Sequence, residues 1–158
     1  MPRLNGIIET AIHVRDLSAS ADFYQEVLGL ESVQGSERLC VLSVAGRHLL
    51  LLFLQDGSTE PVETAGGIIP PHDGSGALHF AFAIDHSELA PWEQRLREKG
   101  VAVESRVHWE LGGRSLYFRD PDGHLVELAT LASGRFTDFP RSPHFFRIFP
   151  LFPIACKR

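Results

Sequence analysis

The sequence has few cysteines and no long hydrophobic run, and both shortages exclude classes of protein. Cys40 and Cys156 are the only cysteines in 158 residues, too few for a disulfide framework or a thiolate zinc site. The longest apolar run, Leu49–Leu54, is far shorter than the roughly 20 residues that a membrane-spanning helix needs. The first residues contain no apolar stretch typical of a secretory signal, so we expect a cytoplasmic protein without a membrane partner.

Basic residues are also in the minority. The chain carries 15 Lys and Arg against 20 Asp and Glu, a formal net charge of −5 at pH 7, and it has no basic block. Nucleic-acid binding depends on clustered basic side chains that neutralise phosphates, so nucleic acid is not an expected partner. The hydrophobic fraction of 44% is typical of a globular domain and excludes a disordered chain. Eight histidines are the first sign of chemistry.

The chain shows the same order of elements twice. In the first copy, apolar alternation over residues 8–14 predicts a strand, and a helix is expected between Asp16 and Gly29. Asp16 is suited to the N-cap of this helix, and Gly29 to the position just after its end. Two further strands are expected over residues 38–44 and 49–54, joined by a tight turn.

The second copy repeats that order. Alternation over residues 77–84 predicts its first strand, and a helix capped by Ser87 is expected to end at Gly100. A strand over residues 101–107 and a hairpin over residues 115–130 follow. Each copy is therefore expected to contain a strand, a helix and then further strands.

We expect one domain over residues 1–131, with a first module at about 5–55 and a second at about 77–131. The connection over residues 56–76 is rich in glycine and proline, which is typical of a linker or a mobile loop over a site. Residues 132–158 form a Phe- and Pro-rich tail whose prolines prevent a regular helix. We expect this tail to bury its phenylalanines on its own barrel, over the site or on a partner chain.

Three predicted strands each present one potential metal ligand on the face opposite their bulky side chains. His13 and His79 lie in matching places of the two copies, and Glu127 lies in the middle of the last strand. A buried mid-strand carboxylate is costly unless it is paired or bound to a cation. A single strand histidine is more often a packing or surface residue, but the repeated position favours a shared role. Two imidazoles and a carboxylate suit a divalent metal with open positions.

Four segments, in this order and spacing, resemble the βαβββ modules of the vicinal oxygen chelate superfamily, also called the glyoxalase/bleomycin-resistance/dioxygenase superfamily. The segments are Thr10–Leu17, Asp22–Leu30, Leu78–Phe82 and Ser115–Leu128. The resemblance implies an α+β fold in which two βαβββ modules form a cup-shaped, incomplete mixed-sheet barrel with the helices outside. It also implies a homodimer, which often completes the cup.

The resemblance further implies that His13, His79 and Glu127 hold one divalent metal in the cup. Glyoxalase I-like members add a ligand from the last strand of the first module, but Leu49–Leu54 offers no carboxylate or amide. A four-ligand site is therefore not expected, and His48, just before that run, is expected to lie outside the metal's ligand set or at the surface. The remaining His-His-Glu set resembles that of extradiol dioxygenases and fosfomycin-inactivating enzymes.

The implied function is that of a metal-dependent enzyme that chelates a small-molecule substrate through vicinal oxygens. A dioxygenase-like reaction with Fe(II) or Mn(II) is favoured, and Zn(II) or Ni(II) is compatible with the same ligands. Metal-assisted epoxide or carbonyl chemistry, as in fosfomycin-inactivating or glyoxalase-like lyases, is the first alternative. A non-catalytic, bleomycin-type binding protein is the second.

The strand before the last turn provides the other expected site residues. Tyr117 is expected to be catalytic, as an acid/base or as a hydrogen-bond donor to developing negative charge. Ser115 and Arg119 share its face by alternation and are expected to bind substrate. For Arg119, pairing with Asp120 or Asp122, or exposure to solvent, is the alternative.

Overall fold

A computed structural model describes residues 1–110 and 112–130, and the expectations for the tail lie outside these residues. The described chain divides into two compact units, residues 1–75 and 76–130. Within these residues, no helix is long and apolar enough to cross a membrane.

The first unit contains one βαβββ module and a short hairpin. Its elements are β1 (Glu9–Val14), α1 (Leu17–Leu28), β2 (Glu31–Gly35), β3 (Leu39–Val44), β4 (His48–Leu54), β5 (Val62–Thr64) and β6 (Gly67–Ile69). The main sheet has the order β1-β4-β3-β2, with β1 parallel to β4 and the other neighbours antiparallel. The β5–β6 hairpin lies in the connection that was expected to be only a linker or loop.

Local signals set the bounds of α1 as predicted. The Asp16 side chain accepts a hydrogen bond from the backbone N–H of Ala19, and Gly29 ends the helix in the left-handed region with φ 71°. The helix contacts β2, β3 and β4 and buries Tyr24 completely. On β1, Ile12 and Val14 are also almost fully buried, so the intervening His13 points to the opposite face of the sheet.

The second unit has the same topology. Its elements are β7 (His79–Ala83), α2 (Leu89–Glu98), β8 (Ser105–His108), β9 (Arg114–Arg119) and β10 (Leu125–Ala129). The sheet order is β7-β10-β9-β8, with β7 parallel to β10 and the remaining pairs antiparallel. The predicted α+β fold with two βαβββ modules is thus confirmed.

Three local predictions were wrong. Ser87 does not cap α2, because it lies inside a 3-10 turn (His86–Glu88) that leads into the helix. The strand predicted over residues 101–107 begins only at Ser105. β2 was missed because its sequence is mostly polar and its pairing with β3 shifts register at a bulge.

Candidate metal centre

In the second unit, neighbouring strands bring a histidine and a carboxylate together. His79 begins β7 and Glu127 lies in the parallel strand β10, where it is buried between Val126 and Leu128. His79 Nε2 lies 3.3 Å from Glu127 Oε2, and His79 Nδ1 lies 3.1 Å from the backbone oxygen of Leu125. His79 and Glu127 were both selected from the sequence, because strand alternation turns them away from the bulky apolar side chains.

The hydrogen bond to Leu125 decides what the imidazole of His79 offers to Glu127. A carbonyl oxygen only accepts, so Nδ1 must carry a proton and donate it. In the neutral ring, Nε2 is then a lone pair that faces a carboxylate oxygen, and two acceptors at this distance need a proton or a cation between them. A histidine that donates one nitrogen to a backbone carbonyl and offers the other is the usual form of a metal ligand. The pair therefore fits a divalent metal.

A relay of hydrogen bonds holds the other oxygen of Glu127. The Trp109 indole N–H donates to Ser115 Oγ at 2.8 Å, and that hydroxyl donates to Glu127 Oε1 at 2.5 Å. Ser115 is 1% exposed, so this bond satisfies a buried carboxylate oxygen and leaves Oε2 directed at His79. The hydroxyl of Ser115 is thus occupied by protein groups, and its contact with substrate stays a prediction.

Tyr117 lies directly across from Glu127 in the β9–β10 pair. Its ring is half-buried and tilted against the ring of His79, with 6.1 Å between centroids. Burial raises the pKa of the Tyr117 phenol, and a hydrogen bond to the Glu127 carboxylate and its negative charge raise this pKa further, while Ser115 opposes the shift. The phenol therefore stays protonated at neutral pH, as its predicted role as a donor requires.

Arg119 pairs with Glu104, a partner that the sequence did not indicate. Its guanidinium Nε lies 3.2 Å from a carboxylate oxygen of Glu104, and its Nη1 donates to the backbone oxygen of Gly123. The predicted ion pair with Asp120 or Asp122 does not form. Asp120 instead accepts the backbone N–H groups of residues 122 and 124 and closes the turn. Substrate binding by Arg119 stays a prediction.

In the first unit, His13 also faces a carboxylate. It lies on β1 opposite Phe53 of β4, with the two rings stacked at 5.7 Å between centroids. His13 Nε2 is 3.6 Å from Oδ1 of Asp73, a residue of the connection after β6. The ring of His72 lies 5.7 Å from that of His13. Neither His72 nor Asp73 is marked as a site residue by any motif in the sequence.

Two further histidines form hydrogen bonds with the backbone. His48, the first residue of β4, has its Nδ1 2.8 Å from the backbone oxygen of Ile7, and its place outside the metal's ligand set stays a prediction. The buried His124 was missed; its Nδ1 accepts the backbone N–H of Leu78, next to the ligand candidate His79.

Each unit thus contributes a histidine–carboxylate pair rather than a complete metal site. Within the described residues, no group of three or more His, Cys, Asp or Glu side chains is arranged to hold a metal ion. The predicted ligands His13, His79 and Glu127 belong to different units, and their joint coordination of one ion stays a prediction.

The repeated βαβββ module and the histidine–carboxylate pairs point to one class of protein. The family profile of the Glyoxalase/Bleomycin resistance protein/Dioxygenase superfamily matches residues 6–128, and the chain belongs to this superfamily. It is 32% identical over 129 residues to the metallothiol transferase FosB of Bacillus licheniformis, covering 81% of this chain and 77% of that protein. It is 29% identical over 130 residues to a catechol-2,3-dioxygenase of Bacillus subtilis, covering 82% of this chain but 40% of that protein.

A solved structure is similar over nearly its whole length. The lactoylglutathione lyase from Agrobacterium tumefaciens matches with a TM-score of 0.74 and 34% sequence identity, covering 83% of this chain and 97% of that one. These three relatives carry the names of enzymes with different reactions. The superfamily is therefore established, whereas the reaction has to be argued from the site.

Proposed function

We propose that this chain is a metal-dependent enzyme that binds a small substrate through two neighbouring oxygen atoms. The 3.3 Å contact between His79 Nε2 and Glu127 Oε2, with the other nitrogen of His79 bonded to a backbone carbonyl, carries the proposal. His13 is the third proposed ligand. Two imidazoles and a carboxylate suit Fe(II) or Mn(II), and they also accept Zn(II) or Ni(II).

The chain's own side chains prepare the site for this chemistry. A bound divalent ion would polarise the substrate oxygens as a Lewis acid. The Ser115 hydroxyl orients Glu127. The single proton of the Tyr117 phenol, which Glu127 attracts before substrate binds, would turn to negative charge that develops on the substrate. The Tyr117 phenol would be effective here because it is held by a strand rather than by a loop.

Two reaction types are open to such a site. A dioxygenase-like reaction is supported by the His-His-Glu set and by the similarity to a catechol-2,3-dioxygenase. Metal-assisted chemistry on an epoxide or carbonyl substrate is supported by the similarity to a metallothiol transferase and to a lactoylglutathione lyase. A metal-free binding protein is disfavoured, because His79 donates one nitrogen to a backbone carbonyl and turns the other towards a buried carboxylate, which is the usual arrangement of a metal-binding histidine.

Metal reconstitution tests the proposal. Protein stripped by a chelator is incubated anaerobically with Fe(II), Mn(II), Zn(II) or Ni(II), desalted and subjected to elemental analysis. We expect about one ion per chain in the wild type, and a loss of most of it in His79→Ala. His108→Ala, which removes an exposed histidine of β8, is the matched control and should keep its ion. A wild type that retains none of the four metals would contradict the proposal.

Turnover assays then separate the two reaction types. Oxygen consumption with catechols, measured with an oxygen electrode, would support the dioxygenase-like reaction. Consumption of a thiol in the presence of an epoxide or carbonyl compound would support the other. We also propose a homodimer, for which analytical ultracentrifugation should give twice the 17.6 kDa mass of one chain.

A further inference from the structure

The strand paired with His13, β4, offers no second metal ligand. On β4, the side chains that share the face of His13 are apolar: Leu49 and Leu51 pack with Val41, and Phe53 stacks on the His13 ring. A carboxylate near His13 therefore has to come from another element. The structure supplies one from the connection that follows β6, where Asp73 Oδ1 lies 3.6 Å from His13 Nε2.

Backbone groups hold the carboxylate of Asp73 in place. Its Oδ2 accepts the backbone N–H of Asp56 at 2.9 Å, and its Oδ1 accepts the backbone N–H of Gly74 at 2.8 Å. Asp56 adopts a positive φ of 59°, which is uncommon for a residue other than glycine. Two hydrogen bonds from the main chain thus fix the Asp73 carboxylate before any ligand arrives, and preorganisation of this kind is expected of a binding group.

The segment around Asp73 also packs directly on His13. A Cβ atom placed on Gly74 would lie 3.0 Å from His13 Nδ1, so only glycine lets the main chain approach the ring this closely without displacing it. The neighbouring His72 is fixed by its backbone N–H to the oxygen of Ser58 and by an edge contact with Phe53 at 4.5 Å between centroids. The position of Asp73 is therefore built by several contacts.

The distance between His13 and Asp73 is longer than a hydrogen bond and slightly longer than the spacing of two donors on one ion. At 3.6 Å the two atoms are too far apart for a hydrogen bond. Two donors bound to one ion at about 2.1 Å each lie about 3.0 to 3.4 Å apart, depending on the angle between the bonds. The pair of His79 and Glu127 falls within this range at 3.3 Å, and the pair of His13 and Asp73 is within a few tenths of an ångström of it.

We propose that Asp73 binds metal beside His13, as a ligand supplied by the connecting segment in place of a ligand on β4; this inference rests on the proposed metal-dependent function. The carboxylate that faces His13 is already held by the backbone N–H groups of Asp56 and Gly74.

Metal affinity and the Co(II) absorption spectrum test this inference. Wild type and Asp73→Asn are titrated with Co(II) against a chromophoric chelator, and visible spectra of the loaded proteins are recorded. We expect Asp73→Asn to weaken Co(II) binding by about 100-fold. Its Co(II) bands should also change in intensity, because these bands depend on the number of donors. Glu63→Gln, which neutralises an exposed carboxylate of the same connection, is the matched control and should change neither quantity.

A second variant distinguishes loss of the carboxylate from loss of the folded structure. Asp73→Glu keeps the carboxylate and should retain Co(II) affinity within about tenfold of the wild type, and circular dichroism should show all variants folded. Unchanged or tighter binding in Asp73→Asn would overturn the inference, and so would weaker binding with an unaltered Co(II) spectrum. A wild type that binds no Co(II) would instead overturn the proposed function itself.

Discussion

The two units build a histidine–carboxylate pair by different means. In the second unit, His79 and Glu127 come from adjacent strands, lie 3.3 Å apart and are oriented by a side-chain relay. In the first unit, His13 comes from the equivalent strand but Asp73 comes from a connecting segment, lies 3.6 Å away and is held by backbone N–H groups. The same βαβββ topology therefore accommodates a histidine–carboxylate pair with or without a polar residue on its last strand.

This difference sets how each pair should respond to change. The strand pair depends on the buried hydroxyl of Ser115, so loss of a single side chain should disorder Glu127. The loop pair depends on a close approach of the main chain at Gly74, so added bulk there should matter most. Variants in each unit can therefore test the two histidine–carboxylate pairs separately.

The largest effect is expected for Glu127→Gln. The amide removes the negative charge that faces His79 Nε2, so we expect metal affinity to fall by about 100-fold or more. Elemental analysis after desalting should find little metal in this variant. Glu104→Gln removes an exposed carboxylate that pairs with Arg119, and it should keep a full complement of metal. Full metal content in Glu127→Gln would remove Glu127 from the ligand set.

A smaller loss is expected for Ser115→Ala. Without the hydroxyl, Glu127 Oε1 loses its buried donor, and the carboxylate is no longer directed at His79. We expect metal affinity to fall by about tenfold, measured by competition with a chromophoric chelator. Ser105→Ala, at an exposed position of β8, should bind metal as the wild type does. Equal affinities for the two variants would show that the relay does not orient the ligand.

Gly74→Ala tests the first unit. The added methyl group would lie 3.0 Å from His13 Nδ1, so the connection or the ring must shift. Overpacking of this kind costs about 1 kcal/mol or more, and we expect a lower melting temperature and about fivefold weaker metal binding. At Gly66 the nearest atom would be 3.8 Å away, so Gly66→Ala should leave both quantities unchanged. A Gly74→Ala variant that matches Gly66→Ala would argue against close packing on His13.

The smallest effect is expected for Trp109→Phe. This change keeps an aromatic ring but removes the N–H that donates to Ser115 Oγ. A single hydrogen bond is worth about 1 kcal/mol net, and we expect about threefold weaker metal affinity because the bond acts through Ser115. Trp92→Phe on α2 is the matched control. A loss larger than that of Ser115→Ala would mean that Trp109 acts on the site by another route.

The sequence predicted the parts of the fold that local rules govern. The cap at Asp16, the end of α1 at Gly29 and the last hairpin follow from neighbouring residues alone. Alternation also placed His79 and Glu127 on faces opposite bulky apolar side chains, because strand periodicity decides which way a side chain points. These parts of the candidate site were therefore accessible without coordinates.

The remainder depends on contacts between distant residues. Asp73 takes its position from the backbone of Asp56, 17 residues away, and no periodic pattern marks such a contact in a Gly- and Pro-rich connection. Trp109 reaches Ser115 only because β8 and β9 pair, and Arg119 finds Glu104 beyond the strand end. The apolar sequence of β4 excluded a ligand on that strand, but it contained no sign that the following connection would place a carboxylate near His13.

Whether both units serve one metal ion is tested most directly by metal content in His13→Ala beside His79→Ala. Each variant is purified anaerobically, reconstituted with Mn(II) and measured by elemental analysis against the wild type. We expect about one ion per chain in the wild type. Both variants should lose most of it, because each would remove a proposed ligand of the same ion. Full metal content in His13→Ala, with loss only in His79→Ala, would contradict a centre shared by the two units.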